Sequence, residues 1–115
     1  MNMADIIVNF NELARDGKKL FAGRANGKMA YEKFNVGNFR PNTEDILSFQ
    51  IPDDIVVSSS YFLGMLETIL PQFKTPSELF KQVKVNNQIY SDGRFVELER
   101  AVKRGLHRNE PFFGR

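Results

Sequence analysis

Ile55-Val56-Val57-Ser58-Ser59-Ser60-Tyr61-Phe62-Leu63-Gly64-Met65-Leu66 is the stretch on which the fold turns. Its three leading residues are β-branched and apolar, which favours extended backbone. The three serines then offer side-chain oxygens to the open N–H groups of a helix start. Beyond them Phe62, Met65, Leu66, Ile69 and Phe73 recur at helical spacing. That spacing predicts a helix from about Ser59 to Gln72 with one face in the core.

The same alternation continues on both sides. Toward the N-terminus, Asp5-Ile6-Ile7-Val8-Asn9-Phe10 is short and β-rich, and reads as a strand. Asn11 to Gly17 reads as a turn or a loop with one helical turn, and Lys18-Lys19-Leu20-Phe21 as a second short strand. Around Gly23 to Phe34, the residues Ala22, Ala25, Met29 and Phe34 can share one helix face, although each glycine costs up to about 1 kcal/mol in a helix interior. Val36 to Glu44 holds Gly37, Asn38, Pro41 and Asn42 and reads as a loop, and Ile46-Leu47-Ser48-Phe49 as the next strand.

Toward the C-terminus, Thr75-Pro76-Ser77-Glu78 supplies an N-cap, a proline suited to the first helical position and a glutamate that can close a capping box. Val83 and Val85 alternate with Lys84 as in a strand, which Asn86-Asn87 ends. Ser91 or Asp92 can cap a last helix. In that helix Phe95, Leu98, Val102 and Leu106 line one stripe, with Glu97, Arg100, Lys103 and Arg104 mostly off it. The expected fold is α/β: a small, partly parallel sheet with packed helices. It forms a single domain over residues 1–115, with its core in about 5–106 and a polar tail over 107–115.

Composition removes several function classes. The chain has 115 residues, enough to bury about two thirds of its extended surface without staples. It has no cysteine and one histidine. Disulfides, iron–sulfur clusters, thiolate zinc sites and histidine-rich metal sites are therefore excluded. Met1-Asn2-Met3-Ala4-Asp5 has neither the basic region nor the apolar run of a signal peptide. No stretch approaches 18 apolar residues. These features predict a cytoplasmic domain with no membrane partner. The net charge is only +2, but it is uneven: residues 37–80 carry two positive and six negative side chains, and residues 81–115 carry eight and four. Such asymmetry can steer a partner or make copies attract.

Catalytic constellations are scarce, and the expectation is a protein that is not an enzyme and needs no cofactor. A Ser-His-Asp triad would need His107, which lies in the polar tail. Gly23-Arg24-Ala25-Asn26-Gly27-Lys28 is followed by Met29, so it lacks the Ser or Thr of a phosphate loop. Small residues there suit a loop-to-helix junction with close packing. Asp53-Asp54, near Glu44-Asp45, lacks calcium-loop spacing, and no metal site is assigned. Arg100, Lys103, Arg104 and Arg108, with Arg115 beyond them, form a possible basic patch that could touch phosphates. No helix-turn-helix, zinc finger or aromatic sheet motif accompanies it. Ser58, Ser59, Ser60 and Tyr61 are the most pointed candidates. Hydroxyls at a helix start stand where the dipole and free N–H groups favour negative charge.

Five segments carry a family resemblance: Phe21 to Gly27, Ile46 to Phe49, Val57-Ser58-Ser59-Ser60-Tyr61-Phe62-Leu63, Phe80-Lys81-Gln82-Val83-Lys84-Val85-Asn86, and Phe95 to Leu106. In this order the chain resembles the STAS-like domains of a bacterial family of unknown function (the DUF4325 type), distantly similar to anti-sigma-factor antagonists. Those antagonists usually present Asp-Ser-Ser-Gly at this helix start, and a kinase partner phosphorylates the first Ser. By that likeness Ser58 stands at the Asp position, Ser59 at the phosphorylated Ser, Ser60 at the next, and Tyr61 replaces the Gly. The family's acid near the end of the preceding strand corresponds to Ser48. The resemblance implies a non-catalytic regulatory protein-interaction domain, of bacterial or phage type. Its partner would be a protein, such as a kinase-like ATPase domain, or a second copy in a homodimer. The alternatives are nucleic-acid binding through the basic C-terminal helix, or an assembly role in which Phe112-Phe113 docks on a neighbour.

Overall fold

Side-chain alternation along β1 (Asp5–Asn9) and β3 (Ile46–Gln50) builds the main sheet. In the computed structural model, which describes residues 4–14, 17–91 and 93–107, the two strands run parallel. Ile6 stands opposite Leu47 and Val8 opposite Phe49. On the other side of β3, β5 (Val83–Val85) is again parallel, with Leu47 opposite Val83 and Phe49 opposite Val85. These apolar partners share one face, and Val8, Leu47, Phe49, Val83 and Val85 are wholly buried. Asp5 and Ile7 alternate out to solvent.

Asn86-Asn87 does more than end β5. Both residues are left-handed, with φ of 51° and 69°. A two-residue turn of this hand matches the twist of paired strands, so the chain returns as β6 (Gln88–Ile89), antiparallel to β5. The sequence reading has no counterpart to β6. Nor does it separate the sheets: β2 (Leu20–Phe21) and β4 (Val56–Val57) pair in parallel as a second, two-stranded sheet. The α/β class, with a small partly parallel sheet and packed helices, is as expected.

Two helices pack against a third. Helix α3 (Ser59–Leu66) lies against α2 (Arg24–Lys33) and α5 (Val96–His107), and its Phe62 meets Phe49 of the sheet edge-on at 5.7 Å. It departs from expectation twice. It ends at Leu66, where the chain tightens: the Ile69 N–H donates to the Leu66 carbonyl three residues back, at 3.0 Å. The chain turns through Glu67–Ile69 and tightens into a 3-10 turn at Leu70–Gln72. Moreover, all six residues from Tyr61 to Leu66 are buried, so the helix is enclosed rather than one-faced.

The α2 face is also corrected. Met29 is 67% exposed, and Ala22 and Ala25 face solvent; Gly27 and Ala30 are the buried pair. The reason is a crossing between backbones. A Cβ on Gly27 would fall on the Tyr61 carbonyl oxygen, and one on Gly64 would fall on the Arg24 carbonyl oxygen. Each glycine admits the other helix's main chain, so the larger residues of α2 turn away. The expected use of small residues at this junction for close packing holds at Gly27.

The shorter helices follow their local signals. α1 (Phe10–Leu13) is the single helical turn after β1, capped by the Asn9 side chain on the Asn11 N–H. α4 (Pro76–Phe80) begins as its sequence predicts: the Thr75 hydroxyl accepts the Glu78 N–H. The Glu78 carboxylate reaches back one residue further than a capping box requires, to the Lys74 N–H at 3.0 Å. α5 starts at Val96, well beyond Ser91; Asp92 lies outside the described residues. Its lead-in is held instead by Tyr90, whose hydroxyl accepts the Phe95 N–H at 3.1 Å and donates to Glu99.

Candidate functional site at the start of helix α3

Ser58 precedes α3 in extended backbone, and its Oγ accepts the Tyr61 N–H at 3.2 Å. Ser60 Oγ lies 3.1 Å from Ser58 Oγ and accepts the Gly23 N–H at 3.3 Å. Two of the three hydroxyls are thus committed, one to capping α3 and one to tying the start of α2 beside it. The Ser59 hydroxyl makes no hydrogen bond among the described residues. All three serines are half-buried.

The Ser59 backbone N–H donates to Glu97 Oε1 at 2.9 Å. A carboxylate from α5, thirty-eight positions away, therefore occupies the open N–H end of α3, where the dipole favours negative charge. Its second oxygen pairs with Arg100 at 3.3 Å. Sequence reasoning missed Glu97. An acid in the first turn of a helix ordinarily complements its own dipole, and nothing in the local pattern ties it to Ser59.

Tyr61 turns inward. Its ring packs edge-on against Phe21 at 5.7 Å and tilted against Phe10 at 6.0 Å. Burial pushes its phenol above the ordinary value. Ser48, matched by the family resemblance to an acidic position, is buried in β3.

The basic patch divides. Arg100, Lys103 and Arg104 are exposed on the side of α5 opposite the buried Leu98, Ala101 and Val102. Arg108 lies outside the described residues, as do Arg115, Phe112-Phe113 and the side chain of His107. Asp54 forms an ion pair with Lys19, which holds its carboxyl below the usual range, while Asp53 is exposed. Among the described residues no group of three His, Asp or Glu side chains gathers to hold a metal. No helix among them is long and apolar enough to cross a membrane.

Two concavities flank α3. One, of about 660 Å³, lies where α2 meets the turn after α3 and is lined by Arg24, Lys28, Glu67 and Thr68. Both of its cations pair with Glu67. The other, of about 230 Å³, lies between β4 and the start of α5, and Glu97 is among its lining residues. The fold and site together define a small α/β domain whose helix start is capped by a carboxylate from a distant element. Comparison with family models, curated proteins and solved structures returns no match.

Proposed function

We propose that this chain is a non-catalytic regulatory domain that binds a protein partner through the start of α3, and that a negative modification at Ser59 switches it. The observation that carries this reading is the Ser59 N–H bond to Glu97 beside an uncommitted Ser59 hydroxyl. A phosphate on that hydroxyl would add roughly −1.5 to −2 of charge. It would compete with the Glu97 carboxylate for the same N–H groups and repel it. Once released, Glu97 would free the first turn of α5 and the groove beside it. The switch is thus an exchange of anions at one helix end.

The resemblance to anti-sigma-factor antagonists supports a kinase-like ATPase domain or a second copy as partner, in the cytoplasm. Ser58 replaces their aspartate, so the cap is uncharged here and Glu97 brings the charge from α5.

The test compares immobilised wild type, Ser59→Ala, Ser59→Asp and Ser59→Asp/Glu97→Gln as baits. Ser59→Asp is expected to lose a partner that wild type and Ser59→Ala retain, with far-UV circular dichroism unchanged. Removing the competing charge with Glu97→Gln is expected to restore part of the binding. If Ser59→Asp holds every partner as tightly as wild type does, the switch is wrong.

A second reading rests on the joint exposure of Arg100, Lys103 and Arg104 along one helix side. Binding of nucleic acid there would fall steeply with salt, through counterion release. A flat salt response would remove it.

A further inference from the structure

The small sheet has a second edge. The N–H groups of Val56 and Ser58 donate to the carbonyls of Lys19 and Phe21. Strand alternation therefore turns the peptide groups of Val57 away from β2. Among the described residues no strand pairs with that edge of β4. The edge borders the 230 Å³ groove, whose apolar lining includes Ile55, Val57, Phe62 and Phe95.

The lips of the groove are apolar and open. Val56 is 59% exposed on one side and Val96 54% exposed on the other. Leu20, opposite Val56 in the strand register, extends the first lip. Aliphatic side chains gathered around a concave strip form the kind of apolar surface that interaction sites use.

Charge narrows the occupant. Glu97 is engaged by the Ser59 N–H and by Arg100. Arg94, also lining the groove, donates to the neutral Gln88 side chain at 2.9 Å and pairs with no carboxylate among the described residues. Among the described residues the groove wall therefore carries a cation with no carboxylate paired to it. The unpaired Val57 peptide groups lie at the floor of the groove, where Val57 itself is 6% exposed, and the apolar lips above fit side chains that alternate along an extended segment.

We infer that the groove between β4 and α5 takes an extended segment of a partner protein as an added strand on β4. That segment carries apolar side chains at alternate positions and a carboxylate that meets Arg94. This rests on the proposed reading as a protein-interaction domain, and it names the partner's recognised chemistry.

A phage-displayed library of random dodecapeptides, panned on the immobilised full chain, tests it. Selected peptides are then measured by fluorescence polarisation. Enriched sequences should alternate apolar residues and carry an acid. Val96→Asp should weaken them at least tenfold, and its exposed position should leave the thermal melt unchanged. Arg94→Gln should keep the apolar pattern and abolish the preference for an acid.

No enrichment would overturn the inference, as would peptides that bind Val96→Asp unchanged. Enrichment of helical, three-to-four spacing would exclude strand addition. A consensus matching this chain's own sequence would replace the partner with a second copy. Ser59→Asp belongs in the same panel. Peptide binding lost in Val96→Asp but unaffected in Ser59→Asp would leave the groove standing and remove the switch; the reverse would remove the groove and leave the switch.

Discussion

Asp45 is wholly buried, yet every oxygen is answered. Its carboxylate accepts from the Ala4 N–H, the Arg40 N–H and both arms of the Arg40 guanidinium, each at 3.0 Å. A forked, charge-assisted pair of this geometry is among the stronger polar contacts. The Arg40 guanidinium holds the carboxyl well below the usual range, and burial opposes it only in part. Because the folded-state pKa lies below the unfolded one, the group stabilises the fold above its unfolded value of about 3.9, and that stability is lost as pH falls. Glu99, lowered chiefly by the Tyr90 hydroxyl, acts in the same direction. Denaturant melts should therefore lose midpoint as pH falls below about 5. Asp45→Asn should start from a lower midpoint at pH 7 and decline less steeply; an unchanged slope would show that the pairing carries no linkage. At the same scale, Gly27→Ala and Gly64→Ala each force a methyl onto a carbonyl oxygen of the facing helix. Overpacking of this kind costs about 1–3 kcal/mol, readable as a lowered thermal midpoint.

Among the elements, α3 depends on contacts from outside itself. Its N-terminal N–H groups meet Ser58 and Glu97. Glu97→Gln keeps an acceptor but removes the charge, so it should cost about 0.5–1 kcal/mol at low salt and less at high salt. Equal losses at both would assign the effect to hydrogen bonding rather than the dipole. The β5–β6 hairpin is tied differently. The Asn86 side chain accepts the Ile51 N–H at 2.8 Å and donates to the Ile51 carbonyl at 3.0 Å. Asn86 also tolerates its left-handed backbone better than most residues. Asn86→Ala should lose about 1–3 kcal/mol by chemical denaturation. The caps at Thr75 and Ser58 were legible because they are local, each acting within three residues. The length of α3 was misread because apolar spacing persists through Ile69 and Phe73, which stay buried after the helix has stopped. Periodicity reports burial, and a turn can keep it.

Across the whole molecule, α3 joins both helices to the sheet, so loosening it should be felt everywhere. Phe62→Ala should cost about 3–5 kcal/mol and lower every spectroscopic transition together; separate transitions would show that the sheet survives without α3. Such a fold is not recoverable from spacing alone. β2 and β4 lie far apart in the chain and pair through two residues each. Short segments of this kind carry little pattern, and their partners are chosen by what packs above them.

The sequence by itself determined most of the extended and helical segments, though not β6 or the end of α3, which serines stand at the start of α3, and that the class is α/β. It could do so because β-branching, capping and apolar spacing act between near neighbours. Tertiary structure alone decided that α2 and α3 touch through glycines, that Asp45 also holds the Ala4 N–H, and that Glu97 joins Ser58 at the open end of α3. Each of these depends on the closeness of segments far apart in sequence, which packing density and charge settle only once the chain has closed on itself.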